Sequence, residues 1–200
     1  MTFVVGLTGG IGSGKTAVST RLGELGAAVV DTDEISRSLT AAGGAAMGAL
    51  AGAFGDRYVR PDGSLDRAAM RTLAFEDPLA RSRLEAILHP AIRRETDRAL
   101  GAARAPYAVL VVPLLFETGS YARRIDRTLV VDCAEALQVE RAARRSGLAG
   151  AEVRRIMEAQ WPRWRRLQVA DDVVWNGGGL DALETQCRAL HSRYLSLARA

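Results

Sequence analysis

The chain has 200 residues, 48% hydrophobic and 25% charged, proportions that suit one globular domain with a hydrophobic core of its own. No stretch approaches the roughly 18 continuous apolar residues of a membrane-spanning helix, and the first residues run straight into an apolar strand without a basic leader, so neither a membrane protein nor a signal peptide is expected. Cys133 and Cys187 make no disulfide framework, and no Cys/His cluster has zinc spacing, so a reducing, cytoplasmic setting is expected. The net charge is +4, and of the 27 basic residues all but Lys15 are arginine. GC-rich codon usage accounts for the arginine excess but leaves open why one lysine survives.

Phe3–Leu7 reads as a buried parallel strand ending in a glycine loop. From Lys15, the residues Val18, Leu22 and Leu25 share one helical face, and Gly26 stands where that helix stops. Ala27–Val30 is a second strand, ending at Asp31-Thr32-Asp33. Residues 34–105 carry helical signal. Leu79, Leu84, Ile87 and Leu88 give an apolar face that closes before His89-Pro90, and Ile92–Leu100 reads as a separate helix. Gly43-Gly44, Pro61-Asp62-Gly63 and Asp77-Pro78 are turns. Ala108–Val112, Thr128–Val131 and a short Val173-Val174 are further strands, with arginine-rich helices between the last two, and Leu180, Leu183, Leu190 and Tyr194 mark a closing helix.

Strands separated by helices predict an α/β architecture, a five-stranded parallel sheet with helices on both faces. The expected organisation is one domain over 1–200, with a core at about 1–33, 106–137 and 168–200, a helical insertion at about 34–105 and an arginine-rich helical lid at about 138–167. Ligands on such sheets bind at the carboxyl ends of the strands.

Gly9-Gly10-Ile11-Gly12-Ser13-Gly14-Lys15-Thr16 matches G-x-x-x-x-G-K-[ST] between a predicted strand and a predicted helix. Glycines at positions such as Gly9, Gly12 and Gly14 let backbone amides, that of Ser13 among them, close around phosphate oxygens. The helix N-terminus adds positive potential, Lys15 reaches the β and γ phosphates, and Thr16 offers a hydroxyl to Mg²⁺. The motif implies a nucleoside triphosphate with Mg²⁺ and leaves GTPases, ATPases and small-molecule kinases open.

Asp31 and Asp33 would point to one side of the cleft beside this loop if the chain stays extended there. One such carboxylate orients an acceptor hydroxyl and takes its proton. The alternative is that Asp31 caps the next helix, since Asp31-Thr32-Asp33-Glu34 resembles a capping box. Between Arg141 and Arg166, eight arginines face only Glu152 and Glu158. A lid closing its arginines onto phosphates accounts for this charge, as does a solvated basic helix face. Little aromatic interleaving precedes Trp161, which speaks against a nucleic-acid platform.

These landmarks resemble the dephospho-coenzyme A kinase family over nearly the whole chain, within the P-loop NTPase/kinase fold. GLTGGIGSGKT at 6–16, DTDEISR at 31–37, LHP at 88–90, VPLLFE at 112–117, QVERAARR at 138–145, Gln160 and ADDVVWN at 170–176 follow in order. The resemblance implies that ATP and dephospho-coenzyme A give ADP and coenzyme A by phosphorylation of the ribose 3′-hydroxyl, with no nucleic-acid or membrane partner. It implies Asp33 as the base or positioning group, Arg141 as the lid arginine over the transferred phosphoryl group, and Lys15 as its counterpart in the loop. Arg145 and Asn176 are implied on the nucleotide side, Asn176 near the adenine. Thr8, His89 and Glu117 are implied on the acceptor side, and for His89 a packed helix-end histidine is the other reading. The pair of tryptophans in Trp161-Pro162-Arg163-Trp164 departs from the plainer polar stretch of the family.

Three other readings compete. A related P-loop kinase would act on a nucleoside monophosphate or a metabolite alcohol, for which Arg71, Arg81, Arg83, Arg93 and Arg94 in the insertion leave room. A GTP-dependent switch would carry an N/T-K-x-D motif, which a chain with lysine only at position 15 lacks. A nucleic-acid binder rests on basic charge alone.

Overall fold

Runs of valine, leucine and other apolar residues become the strands of one sheet in the computed structural model, which describes residues 2–199. The strands are β1 (Phe3–Gly9), β2 (Ala28–Asp31), β3 (Tyr107–Val111), β4 (Arg127–Asp132) and β5 (Asp172–Trp175), in the order β2-β3-β1-β4-β5. β1 pairs in parallel with β3 and β4, setting Leu7 opposite Val111 and Leu129, and β4 pairs in parallel with β5. The helices are α1 (Lys15–Glu24), α2 (Thr32–Leu39), α3 (Met47–Phe54), α4 (Arg67–Glu76), α5 (Pro78–Ala102), α6 (Leu115–Thr118), α7 (Glu135–Ser146), α8 (Gly150–Glu158), α9 (Arg163–Val169) and α10 (Leu180–Leu197). Residues 1 and 200 of the expected domain lie outside the described residues.

Period-2 alternation divides the sheet residues between two covered faces. Val5, Leu7, Val109, Val111, Leu129 and Val131 pack with Val18 and Leu22 of α1 and with Leu183, Cys187 and Tyr194 of α10. Each such fully buried side chain contributes about 1.5–3 kcal/mol relative to exposure. On the opposite face Leu115 and Ile125 come so close to Gly6 that a Cβ there would meet them at 3.0–3.1 Å. The buried Asp172 carboxylate ties β5 to its surroundings by accepting from Arg127 at 2.5 Å, Arg193 at 2.9 Å and the Tyr194 hydroxyl at 3.1 Å.

Contacts divide the chain into two compact units. One comprises the chain through Val30 together with Gly101 onward, and the other spans Asp31–Leu100. The second unit has a core of its own, built on Leu39, Met47, Leu50, Leu65 and Met70, with Leu84, Ile87, Leu88, Ala91 and Ile92 packed against it.

Two sequence expectations are corrected here. The helices expected on either side of His89-Pro90 are one helix, α5, that runs through Pro90. Proline removes one intrahelical hydrogen bond, but Leu84, Ile87, Leu88, Ala91 and Ile92 continue one apolar face across it, and their packing holds the helix together. His89 is accordingly an exposed residue inside a helix and not at a helix end. The chain also does not stay extended through Asp33, because α2 begins at Thr32.

Candidate active site

The glycine loop between β1 and α1 takes a conformation that only glycine reaches without strain, at Gly12 and Gly14 in particular. Gly12 has φ +71° and Gly14 φ +96°. A Cβ on Gly12 would lie 2.2 Å from the carbonyl oxygen of Gln138, and one on Gly14 would lie 2.0 Å from Nδ2 of Asn176. The loop therefore lies directly on the start of α7 and on the residue that follows β5. Gly14 is the N-cap of α1, whose first turn contains no acidic residue, so the amides at this end keep their positive potential. Lys15 folds over the loop, its Nζ donating to the carbonyls of Gly9 at 2.9 Å and Gly10 at 3.0 Å. Thr16 is exposed in the first turn of α1. Ser13 is fully buried, and its Oγ has no hydrogen-bond partner among the described residues.

Asn176, 8% exposed, pins this loop from below. Its Nδ2 donates to the Ser13 carbonyl at 2.8 Å, its backbone amide donates to the Asp132 carbonyl at 2.7 Å, and its own carbonyl accepts from Nη1 of Arg141 at 2.8 Å. The expected nucleotide-side residue thus holds the loop's shape and brings Arg141 to the end of β5. Arg145 is exposed in the last turn of α7. At the carboxyl end of β4, Asp132 receives Arg163 as a two-pronged pair at 2.8 and 2.7 Å. That hydrogen bonding holds the Arg163 guanidinium above its ordinary pKa.

The segment between α8 and α9 closes over the same region. Gln160 Oε1 accepts the Ile11 amide at 3.0 Å, so that loop N–H is already engaged. Glu117, in α6, accepts the Trp161 amide at 2.7 Å. The Trp161 ring stacks on Phe116 with centroids 5.6 Å apart and carries the Arg165 guanidinium 3.7 Å from its centroid on account of the ring's negative face. The unusual Trp-Pro-Arg-Trp stretch is therefore an anchor for the end of the helical α7–α9 segment, with Trp164 left exposed. Thr8 is buried in β1 and donates its hydroxyl to the Pro113 carbonyl at 3.2 Å.

In the helical unit, Asp31 is the N-cap of α2, its Oδ1 accepting the amides of Asp33 at 2.8 Å and Glu34 at 3.3 Å. This is the capping reading of the sequence, and the two carboxylates do not share one face of an extended chain. Asp33 is exposed in the first turn of α2. Arg67 donates to the Ser36 carbonyl at 3.1 Å and to Thr40 Oγ1 at 2.5 Å. Its burial and its cationic neighbours Arg37 and Arg71 lower its pKa, while Asp33 raises it, so Asp33 sits among positive charge. A hollow of about 430 Å³ in the same unit has Met70, Leu84 and Leu88 as an apolar lining, with Arg67, Arg71 and Arg81 beside them.

The loop, Lys15 and Arg141, singled out in the sequence, lie together at this end of the sheet, beside Gln138, Asp132, Arg163 and Arg166, to which the sequence assigns no part. The only signal was position, since Asp132 stands at a strand's carboxyl end and both arginines lie in the basic run. Which arginines of that run turn inward depends on tertiary contacts.

The geometry matches a known group of proteins. The sequence profile described as dephospho-CoA kinase matches residues 3–182. The dephospho-CoA kinase of Aromatoleum aromaticum is 57% identical over 198 residues, covering 99% of this chain and 97% of its own. That of Chromobacterium violaceum is 58% identical over 193 residues, covering 96% and 95%. Among solved structures, a protein from Thermus thermophilus superposes with a TM-score of 0.83 at 35% identity, over 96% of this chain and 97% of that one. The dephospho-CoA kinase of Campylobacter jejuni shares the fold with a TM-score of 0.71 at 20% identity, over 98% of each chain. Family, loop and sheet agree: the chain has the P-loop kinase fold and belongs to the dephospho-coenzyme A kinase family.

Proposed function

We propose that this chain transfers the γ-phosphoryl group of ATP to the ribose 3′-hydroxyl of dephospho-coenzyme A, giving ADP and coenzyme A, the last step of coenzyme A synthesis. The observation that carries the ATP half is the loop itself, a glycine turn with Gly12 and Gly14 at left-handed φ that leads into the N-terminus of α1 under a lysine held at 2.9 and 3.0 Å from two loop carbonyls. Family membership carries the acceptor.

In this reaction the bond between the γ-phosphorus and its bridging oxygen breaks, the acceptor O3′–phosphorus bond forms, and the hydroxyl proton leaves with a base. Lys15 and the α1 amides stabilise charge on the phosphates; an electrostatic clamp of this kind supplies most of the acceleration in phosphoryl transfer. Arg141, oriented by the Asn176 carbonyl, adds charge to the transferring group. Asp33, exposed in the first turn of the helix that Asp31 caps, positions the 3′-hydroxyl and takes its proton. Arg145 contributes to the nucleotide side. The helical unit, from about residue 34, holds the acceptor. Its hollow sets an apolar lining beside arginines, a match for a diphosphate attached to a long flexible arm. His89 and Glu117 serve the acceptor there and in α6, and Thr8 supports the loop that follows β1. The α7–α9 helices act as the lid.

Mg²⁺ fits the donor set. Among the described residues no group of three or more His, Cys, Asp and Glu side chains is arranged to hold a metal, whereas the Thr16 hydroxyl is exposed next to the loop lysine. A hard cation that arrives with the nucleotide needs one such oxygen besides the phosphates. Thr16 would hold it, and the ion would neutralise charge between the β and γ phosphates. No helix among the described residues is long and apolar enough to cross a membrane.

The test is a coupled ADP-release assay with MgATP and, in turn, dephospho-coenzyme A, adenosine, AMP, CMP and shikimate. Turnover confined to dephospho-coenzyme A is the expected result. Preferential turnover of a monophosphate or of shikimate would overturn the assignment of the acceptor.

A further inference from the structure

Arg166 differs from the other seven arginines of the basic run. Arg163 pairs with Asp132, Arg141 donates to the Asn176 carbonyl, Arg165 lies on Trp161, and Arg144, Arg145, Arg154 and Arg155 are exposed. Arg166 is only 6% exposed, yet among the described residues no carboxylate oxygen lies within 4.0 Å of its guanidinium. Its hydrogen bond runs from Nη1 to the carbonyl of Trp161. Of the three carboxylates whose charge reaches it, Glu135 is exposed to solvent and the other two are committed elsewhere. Asp132 is held by both prongs of Arg163, and Glu117 accepts the Trp161 amide. Burial pulls the Arg166 guanidinium below its ordinary pKa, against the attraction of Glu117, Asp132 and Glu135.

The position of this cation is as informative as its lack of a counter-ion. A Cβ built on Gly10 would lie 3.0 Å from Nη2 of Arg166, so the guanidinium rests against the second residue of the phosphate loop. On the same glycine, Oε1 of Gln138 would lie 2.2 Å from that Cβ, and this buried oxygen has no hydrogen-bond partner among the described residues. A larger residue at Gly10 would push both groups off the loop. A buried cation is costly unless an anion accompanies it.

We infer that Arg166 is a second cation of the phosphate loop, and that the polyphosphate chain of the bound nucleotide is the counter-ion the protein itself does not provide. The inference rests on the reading of the loop as an ATP site and adds to it a residue outside the motif. Lys15 and Arg166 then flank the loop from two elements far apart in sequence, α1 and α9. Because Arg166 is anchored beside Gln160 and Trp161, nucleotide phosphates also tighten the end of the helical α7–α9 segment.

The inference has a signature that a merely structural arginine lacks. Arg166→Met removes an uncompensated charge, so the free protein keeps its Tm or gains slightly. At the same time MgATP, MgADP and inorganic tripolyphosphate bind about tenfold to a hundredfold more weakly, the loss expected for charge-assisted hydrogen bonds. Arg166→Lys keeps the charge and recovers most of the affinity. In the wild-type protein, the Arg166 Nε–H resonance shifts on titration with tripolyphosphate, a readout independent of whether the Met variant folds. An unchanged MgADP Kd in Arg166→Met, a large fall in its Tm with Kd preserved, or an Nε–H signal indifferent to tripolyphosphate would each overturn the inference. Failure of the wild-type protein to bind MgATP would instead refute the reading of the loop, so the two failures are told apart.

Discussion

Gly12→Ala is the sharpest probe of the loop's geometry, because Gly147→Ala isolates the part of its effect that is not close packing. The two glycines have nearly the same φ, +71° and +68°, and both belong to the sheet-bearing unit. Placing an L-residue in that left-handed region costs about 1–2 kcal/mol at either site. At Gly147 nothing lies within 4 Å of the added methyl, so the backbone term is the whole effect. At Gly12 the methyl meets the Gln138 carbonyl oxygen at 2.2 Å, with Gln138 C and Cα at 3.0 and 3.1 Å, where ordinary contact begins at 3.4 Å. These are backbone atoms of α7 and cannot rotate away. The loop and the helix must separate by about 1 Å, and overpacking of this kind adds about 1–3 kcal/mol. Urea unfolding should give about 1–2 kcal/mol for Gly147→Ala and about 2–5 kcal/mol for Gly12→Ala. Calorimetric titration should show MgADP affinity falling at least about tenfold for Gly12→Ala, since donors shifted by about 1 Å lose hydrogen-bond geometry to a phosphate bound at the loop. Equal destabilisation by the two substitutions would refute the close approach of loop and helix.

Removal of the loop cation by Lys15→Ala should lower kcat by about 10²–10³ with the Tm preserved, measured by ADP release and thermal unfolding; near-normal turnover would refute its assigned role. Asp33→Asn should lower kcat by about 10²–10⁴ and spare MgADP affinity. Asp31→Ala should instead lower stability by about 1 kcal/mol, because it deletes the cap that accepts the Asp33 and Glu34 amides. The reverse pattern would exchange the roles of the two carboxylates. Arg163→Ala strands the Asp132 carboxylate, which is 6% exposed. Because Arg163 itself is partly solvated, the expected destabilisation is about 2–3 kcal/mol, below the top of the range for a fully buried pair. A double-mutant cycle with Asp132→Asn reads the coupling directly.

The parts legible from sequence were those whose structure is decided locally. Gly9–Thr16 needs glycines at fixed spacing between a strand and a helix, so the motif states its own geometry, and the apolar runs placed each strand to within about two residues. Asp33 was misplaced onto an extended segment because a side-chain cap competes with the strand. Asp31 takes two amides and starts α2 at Thr32, and the tetrad Asp31-Thr32-Asp33-Glu34 had signalled that competition. Pro90 was read as a break although the apolar face runs from Leu84 through Ile92 without a change of phase. Packing along a whole face outweighs one lost hydrogen bond. The arginines show what sequence could not convey. Arg163, Arg165 and Arg166 stand almost side by side in the chain, yet one is paired with a carboxylate, one stacks on an indole and one is buried without a counter-ion among the described residues. Those differences arise from Asp132, Phe116, Trp161 and Gly10, residues between four and 156 positions from the arginine they meet, in a sequence with no periodicity linking them.

The central claim is phosphorylation of one hydroxyl of one acceptor. Incubation of the purified protein with Mg²⁺, dephospho-coenzyme A and γ-labelled ATP, followed by mass and ³¹P analysis of the product, tests it most directly. The account predicts that the label is carried by coenzyme A as a 3′-phosphomonoester, formed one for one with ADP. Label released only as inorganic phosphate, or found on a different hydroxyl or a different acceptor, would contradict it.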